Sequence, residues 1–224
     1  MKILLLFSAL ALLSVSKLKA QEFDDRPVHY GVKVDGAFVR LMSSTFGNKG
    51  SNENDFGFLA GFFYYKPIGE RYFFQPELNY AAKGGSSINN QFSNSTYTGS
   101  LESRQDLRYL SLPLLFGVHS AGKELFNFYL GPEISYLLSA KQTVITDTST
   151  YTSKISSIRK IDLSIDFGSE YRIYRGFGAD FRYSLGLFNI LKPSTEFYNI
   201  GTGASQANVK LKNNMFLLGL YYKY

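Results

Sequence analysis

Apolar and polar residues alternate with a period of two along most of the chain. A period of two places successive side chains on opposite faces of a strand, whereas a helix repeats near every 3.6 residues. No stretch carries the pattern of an amphipathic helix. The alternation predicts eight strands, near residues 29–41, 56–66, 71–83, 105–119, 124–141, 159–172, 176–190 and 211–224.

The two faces of each predicted strand differ in character. One face is bulky and apolar, and the other is small or charged; the third, sixth and seventh predicted strands show this most clearly. The sixth carries Ile161, Leu163, Ile165, Phe167 and Tyr171 on one face and Asp162, Ser164, Asp166, Gly168, Glu170 and Arg172 on the other.

The connections between the predicted strands fall into two classes that alternate. Short turns lie at 67–70, 120–123 and 173–175. Long connections rich in Ser, Thr, Asn and Gly lie at 42–55, 84–104, 142–158 and 191–210. An even number of antiparallel strands with short turns at one end and long polar loops at the other is typical of an outer-membrane β-barrel.

The orientation of the two faces distinguishes a membrane barrel from a soluble, lipocalin-type barrel. The soluble alternative would enclose the apolar face around a ligand, but an eight-stranded interior has little room for rings of Phe and Tyr from every strand. The face bearing Gly168, Gly178, Gly186 and Gly219 fits inside better. We therefore expect an all-β, eight-stranded antiparallel transmembrane barrel, with short periplasmic turns and four long extracellular loops.

This barrel must be closed because hydrocarbon, rather than water, surrounds its strands. In hydrocarbon every backbone N–H and C=O must be paired, so an open sheet edge is excluded. The last strand, 211–224, must therefore pair with the first, 29–41, and both termini would lie in the periplasm.

The first residues predict export. An apolar run from Ile3 to Val15 follows Lys2, and it is shorter than the ~20 residues that span a bilayer. We interpret 1–20 as a signal peptide rather than an uncleaved anchor, 21–28 as a short periplasmic segment, and 29–224 as the barrel.

Composition narrows the function classes. Loss of Lys2, Lys17 and Lys19 with the signal peptide, and of no acid, lowers the net charge from +6 to +3. The remaining Lys and Arg are dispersed, so nucleic acid is not an expected partner. The absence of Cys excludes disulfides, thiol nucleophiles and Cys-based metal sites.

Charged residues on the inward face are the main candidate site. Acids and bases are mixed, which predicts a hydrogen-bonded plug rather than a water or ion pathway, since unpaired charges in a narrow barrel are unfavourable. A bend centred on Tyr174 would place Asp166 directly across from Arg182. The predicted interior network consists of Lys33, Asp35, Glu77, Lys83, Glu133, Asp162, Asp166, Glu170, Arg172, Asp180 and Arg182.

Enzyme chemistry has little support. The two histidines, His29 and His119, fall at the predicted periplasmic rim. Barrel enzymes that act on lipid or surface peptides keep their His toward the outer rim, so a Ser-His-acid site on the outer face is unsupported. GTGASQ at 201–206 neither follows a buried parallel strand nor opens a helix, so it does not indicate a phosphate loop. We expect no enzyme activity and no cofactor.

Several stretches together resemble a known family. FFQPELNYAAKG, YLSLPLLFGV, FYLGPEISYLL and DFGSEYRIYRGFGADFRYSLGLFNI are similar to the PorT-like outer-membrane β-barrel family of Bacteroidetes. The resemblance implies the fold and an outer-membrane location. The founding member takes part in type IX secretion and gliding, but no functional residue transfers from it.

The C-terminal residues resemble a second feature of such proteins. Gly219, Tyr222 and Tyr224 have the Gly-x-x-aromatic-x-aromatic spacing of the signal that outer-membrane barrels present to their assembly machinery, although Leu217 replaces the matching polar residue. The resemblance implies that machinery and outer-membrane lipid as partners.

The expected function is that of a non-enzymatic surface protein whose polar loops serve adhesion, ligand contact or envelope integrity. Two alternatives remain: a component of a secretion or gliding apparatus, with envelope partners, and a small pore or transporter. Strands extended into 84–104 and 142–158 could offer edges to another strand, since Thr143, Ile145, Thr150, Thr152 and Ile155 suit strand edges.

Overall fold

The computed structural model describes residues 27–44, 52–53, 55–93, 98–120, 125–192, 197–199, 204–206 and 210–224. The predicted signal peptide and most of the segment 21–28 lie outside these residues. The described strands are β1 (His29–Ser44), β2 (Asn52–Glu53), β3 (Asp55–Ile68), β4 (Tyr72–Ser93), β5 (Thr98–His119), β6 (Phe126–Thr146), β7 (Thr150–Lys154), β8 (Ile161–Tyr174), β9 (Phe177–Gly186), β10 (Phe197–Asn199), β11 (Ala204–Gln206) and β12 (Lys210–Lys223).

Eight of these strands form a closed antiparallel barrel, as the alternation predicts. Around the ring the order is β4, β3, β1, β12, β9, β8, β6 and β5, and β5 pairs with β4 again. The β1–β12 ladder that closes the ring runs from Gly31–Lys223 to Ser44–Lys210. We call the end at which His29 and Tyr224 lie the terminal end and the opposite one the loop end.

The apolar face of the barrel points outward. Phe62, Leu130 and Leu220 are each more than half exposed, and similar residues cover the outside of every barrel strand. The soluble alternative with an apolar interior is therefore wrong. No helix in the described part of the chain is long and apolar enough to cross a membrane.

The strands at the loop end are longer than the sequence predicts. β4 continues to Ser93 and β5 begins at Thr98, so most of the predicted 84–104 connection is a two-stranded ladder. β6 continues to Thr146 and folds back into β7, with Thr143 opposite Thr152 and Ile145 opposite Thr150. Polar hairpins form readily beyond a membrane because water can solvate both faces.

The pairing of β6 corrects the expectation of open edges there. Thr143 and Ile145 are not edge positions, because β6 pairs with β5 on one side and β7 on the other. Within the described residues, only β7 keeps an unpaired edge in this hairpin.

β9 is shorter than predicted, ending at Gly186 rather than near Ile190. The backbone leaves the barrel wall there: the Ile190 N–H donates to the Leu211 carbonyl at 2.8 Å, and Ile158 bridges to Leu191. Residues 187–192 therefore turn across the loop end of the barrel.

Candidate functional site: the barrel interior and its two ends

Arg182 is the centre of the polar interior. It projects inward from β9, is 1% exposed, and meets Glu77 of β4 on the far side of the lumen. Nη2 donates to Glu77 Oε1 at 2.8 Å and Nη1 to Oε2 at 2.9 Å, a bidentate pair. Because β4 and β9 are not neighbours in the ring, this pair spans the lumen.

Lys33 and Asp180 complete the central group. Lys33 Nζ donates to Asp180 Oδ2 at 2.8 Å and lies 3.6 Å from Glu77 Oε1. The Tyr129 hydroxyl donates to Asp180 Oδ1 at 2.6 Å and accepts from Arg182 Nε at 3.1 Å. The charges of Lys33, Glu77, Asp180 and Arg182 thus compensate one another in the middle of the barrel.

A second polar group lies closer to the loop end. Lys83 Nζ donates to Glu133 Oε1 at 2.7 Å, and the Ser135 and Ser164 hydroxyls donate to the same oxygen at 2.8 and 3.2 Å. Beside it, Asn213 Nδ2 donates to Asp162 Oδ2 at 2.8 Å.

The predicted register of Asp166 and Arg182 is wrong by two residues. Arg182 lies opposite Gly168, and Asp166 lies opposite Ser184. The ladder shifts between Arg172 and Tyr174, so the turn is tighter than a bend centred on Tyr174. Arg182 Nη1 still reaches Asp166 Oδ2 diagonally, at 3.4 Å.

The structure places nearly all of the predicted network inside the barrel. The exception is Arg172, which is only half-buried and lines a cavity at the terminal end, because it is the last inward position before the β8–β9 turn. The others are at most 5% exposed: Lys33, Asp35, Glu77, Lys83, Glu133, Asp162, Asp166, Glu170, Asp180 and Arg182.

Inward aromatic residues were not predicted, and they fill the terminal half of the lumen. Three of them stand directly across from a glycine: Phe63 from Gly31, Phe73 from Gly117 and Tyr221 from Gly178. A Cβ built on any of these glycines would overlap the ring. In the sequence, an inward-facing glycine indicates a position at which the neighbouring strand has room to place an aromatic ring inside the barrel. The cluster comprises Phe63, Tyr65, Phe73, Leu115, Tyr129 and Tyr221.

An apolar plug closes the loop end. Its residues come from three barrel strands and from two connections, and Arg159 N–H donates to the Ile190 carbonyl at 2.7 Å to tie the connections together. Lys192 N–H donates to the Ser157 carbonyl at 2.8 Å. The plug consists of Leu41, Leu107, Tyr109, Ile158, Ile190, Leu191 and Leu211.

A cavity of about 410 Å³ opens at the terminal end. Both histidines line it, as the sequence predicts for the rim. His119 is engaged on both ring nitrogens, with the Tyr65 hydroxyl at 3.0 Å and Asn127 Oδ1 at 2.8 Å. This leaves no ring nitrogen of His119 for general-base chemistry. Among the described residues, no group of three His, Asp or Glu side chains is arranged to hold a metal ion.

Comparison with protein families agrees with this architecture. The family described as outer membrane protein beta-barrel domain matches residues 19–192. The chain belongs to this family. No curated protein matches the sequence.

Solved structures resemble this outer membrane protein beta-barrel domain at low identity. Neisserial surface protein A is 16% identical, with 87% of this chain and 97% of that chain covered and a TM-score of 0.47. The attachment invasion locus protein Ail of Yersinia pestis is 14% identical, with 88% and 98% covered and a TM-score of 0.45. OprG from Pseudomonas aeruginosa is 12% identical, with 88% and 95% covered and a TM-score of 0.43.

The residues of the predicted assembly signal lie on β12 and at its end. Gly219 lies opposite both Asp35 and Asp180. Tyr222 faces outward, with its ring centroid 4.7 Å from those of Phe177 and Tyr224. Recognition of these residues by the assembly machinery of this family stays a prediction.

Proposed function

We propose that this outer-membrane barrel is a non-enzymatic surface protein: a sealed scaffold that holds polar hairpins outside the cell for adhesion, ligand contact or envelope integrity. The observation that carries the proposal is a lumen that described side chains block at three levels. Aromatic rings occupy the terminal half, the Arg182–Glu77 pair crosses the middle, and the plug covers the loop end. The terminal end is then periplasmic and the loop end extracellular.

The height to which the hairpins rise above the membrane supports a role in presenting them at the cell surface. On β4 the continuous apolar series of the outward face ends at Ala82, and the strand continues to Ser93. With a rise of ~3.3 Å per residue and a tilt of ~40°, that continuation stands about 28 Å above the apolar band. Tyr151 on β7 is exposed and offers an aromatic contact at the same end.

The proposal makes a first prediction, on permeability. Liposomes containing the purified full chain should show no more sugar or ion flux than empty liposomes, because side chains of the described residues block the lumen at its middle and at both sides of it. Liposome swelling and planar-bilayer conductance measure this. Steady channels in wild-type protein would instead support the pore alternative.

Display is tested separately with a shortened hairpin. Replacing 86–103 with a two-residue turn should leave the barrel folded, since the deleted residues lie beyond the apolar band. Cells producing the full chain should adhere to a mucin-coated surface, or resist detergent, better than cells that lack the protein. Cells producing the shortened variant should behave like the cells that lack it. Equal behaviour of all three strains would contradict the display function.

A role in a secretion or gliding apparatus is the second candidate. It is supported by the resemblance to the PorT-like family of Bacteroidetes and by the outer edge of β7 (Thr150–Lys154), which pairs with no other described strand and suits addition of a partner strand. Co-purification of secretion components with the full chain, and their loss on Thr152→Pro, would favour it.

A further inference from the structure

An open cleft of about 350 Å³ lies on the outside of the barrel near the loop end. It is formed where the chain enters β8 and where it leaves β9. Arg159 and Lys160 line its upper part, while Ile161, Leu163 and Phe188 provide its apolar wall. The cleft is therefore amphiphilic, with two cationic side chains next to an apolar surface.

The height of the cleft follows from β8. The outward residues of this strand between Tyr171, near the terminal end, and Ile161 are apolar except for Ser169. At ~3.3 Å per residue and a tilt of ~40°, this stretch is about 25 Å tall, which matches the apolar band of outer-membrane barrels. Lys160 and Arg159 come directly after it, so they lie at the level of the outer-leaflet headgroups.

The two cations are available to a ligand. Lys160 Nζ makes no hydrogen bond or ion pair with any residue that the structure describes. Arg159 is anchored, because its Nε donates to the Leu191 carbonyl at 2.9 Å. This bond orients the guanidinium and occupies only one of its nitrogens.

No acid competes for these cations among the described residues that line the cleft. The neighbouring Asp162 points into the barrel, where it accepts from Asn213. An anion in the cleft would therefore meet an uncompensated positive field.

We propose that the cleft binds a phosphorylated, acylated glycolipid of the outer leaflet. Its phosphate lies against Arg159 and Lys160, because a guanidinium beside an ammonium suits phosphate oxygens. An acyl chain lies along Ile161, Leu163 and Phe188. The inference rests on the orientation given under the proposed function, since glycolipid fills the outer leaflet of a bacterial outer membrane and phospholipid the inner one.

The test uses the full chain in detergent micelles and native mass spectrometry, with lipid A as the probe. Lys160→Gln should weaken lipid A binding about fivefold, the effect of one basic residue at an anionic lipid surface. The matched control is Lys154→Gln on β7, which is exposed but lies away from the cleft. It should change binding less than twofold. Thermal melts confirm that both variants are folded.

Ligand variants test the chemistry on the wild-type protein alone. Lipid A should bind more tightly than its dephosphorylated form and more tightly than phosphatidylglycerol. Equal binding of the dephosphorylated lipid, equal binding of phosphatidylglycerol, or equal weakening by Lys160→Gln and Lys154→Gln would each overturn the proposal. The liposome-flux and adhesion results do not depend on these outcomes, so the two proposals can fail separately.

Discussion

Arg182 satisfies two acids at once, Glu77 by a bidentate pair and Asp166 by a longer contact. Burying such charges is unfavourable, and replacing one partner leaves the others poorly compensated in the buried interior. The side chain is therefore expected to matter for stability rather than for conduction.

Arg182→Ala should lower the free energy of unfolding by about 3–5 kcal/mol, since Glu77 and Asp166 lose their main cation. Urea unfolding in lipid vesicles measures the loss. Arg104→Ala is the matched control: its half-exposed guanidinium lies 3.8 Å from Asp55 and 3.3 Å from Glu102, and its removal should cost about 0–1 kcal/mol. Similar losses in both variants, or a large new conductance at unchanged stability, would contradict this.

Gly178 is the clearest of the glycines that make room for a ring. A methyl group there would meet the Tyr221 ring, which is buried and cannot swing away freely. Gly178→Ala should therefore destabilise the barrel by about 1–3 kcal/mol through overpacking, although Ala suits a strand better than Gly.

Gly36→Ala provides the control, because its Cβ would find only the Leu218 carbonyl, at 3.8 Å. It should change the free energy of unfolding by less than about 0.5 kcal/mol. If both variants unfold at the same urea concentration, the aromatic packing explanation fails.

At the level of elements, the strands could be predicted and their ends could not. Alternation identifies β8 and β12 because one face meets lipid and the other a narrow polar lumen. It loses meaning beyond the membrane, where both faces of β4 and β5 are polar and water accepts either. For this reason the sequence pattern predicts a loop where the structure has the ladder from Gly84 to Ser93.

For a related reason, neither the plug nor the β8–β9 register could be predicted from the sequence. Ile158, Ile190 and Leu191 lie in connections, where no periodic pattern tells which residues fold back into the barrel. The Asp166–Arg182 offset depends on how tightly the turn at Arg175 closes, with φ of 48° at that residue. The inward charged residues themselves could be predicted, because strand period alone assigns a residue to a face.

At the scale of the whole molecule, the apolar outer surface determines where the chain can reside. Leu218 faces outward on β12 between Gly36 and Phe181. Leu218→Arg should reduce the free energy of folding into vesicles by about 2–4 kcal/mol, as expected for Arg near mid-depth.

Ile68→Arg offers the comparison, since Ile68 ends β3 beside a turn. An Arg at that interface should cost about 0–1 kcal/mol. Urea titration of folding into vesicles measures both variants. Equal effects at the two depths, or a detergent-free, monomeric, water-soluble wild-type chain, would refute the membrane placement.

The β1–β12 seam has a consequence for biogenesis. We expect N-terminus-first export to deliver β1 before β12, which would leave one edge of the earliest strand without its native partner until the rest of the ring has been secreted. Insertion could then not be completed strand by strand as the polypeptide emerges. We expect a half-delivered chain to need shielding by a chaperone or by another sheet, with degradation of stalled chains competing with closure of the β1–β12 ladder.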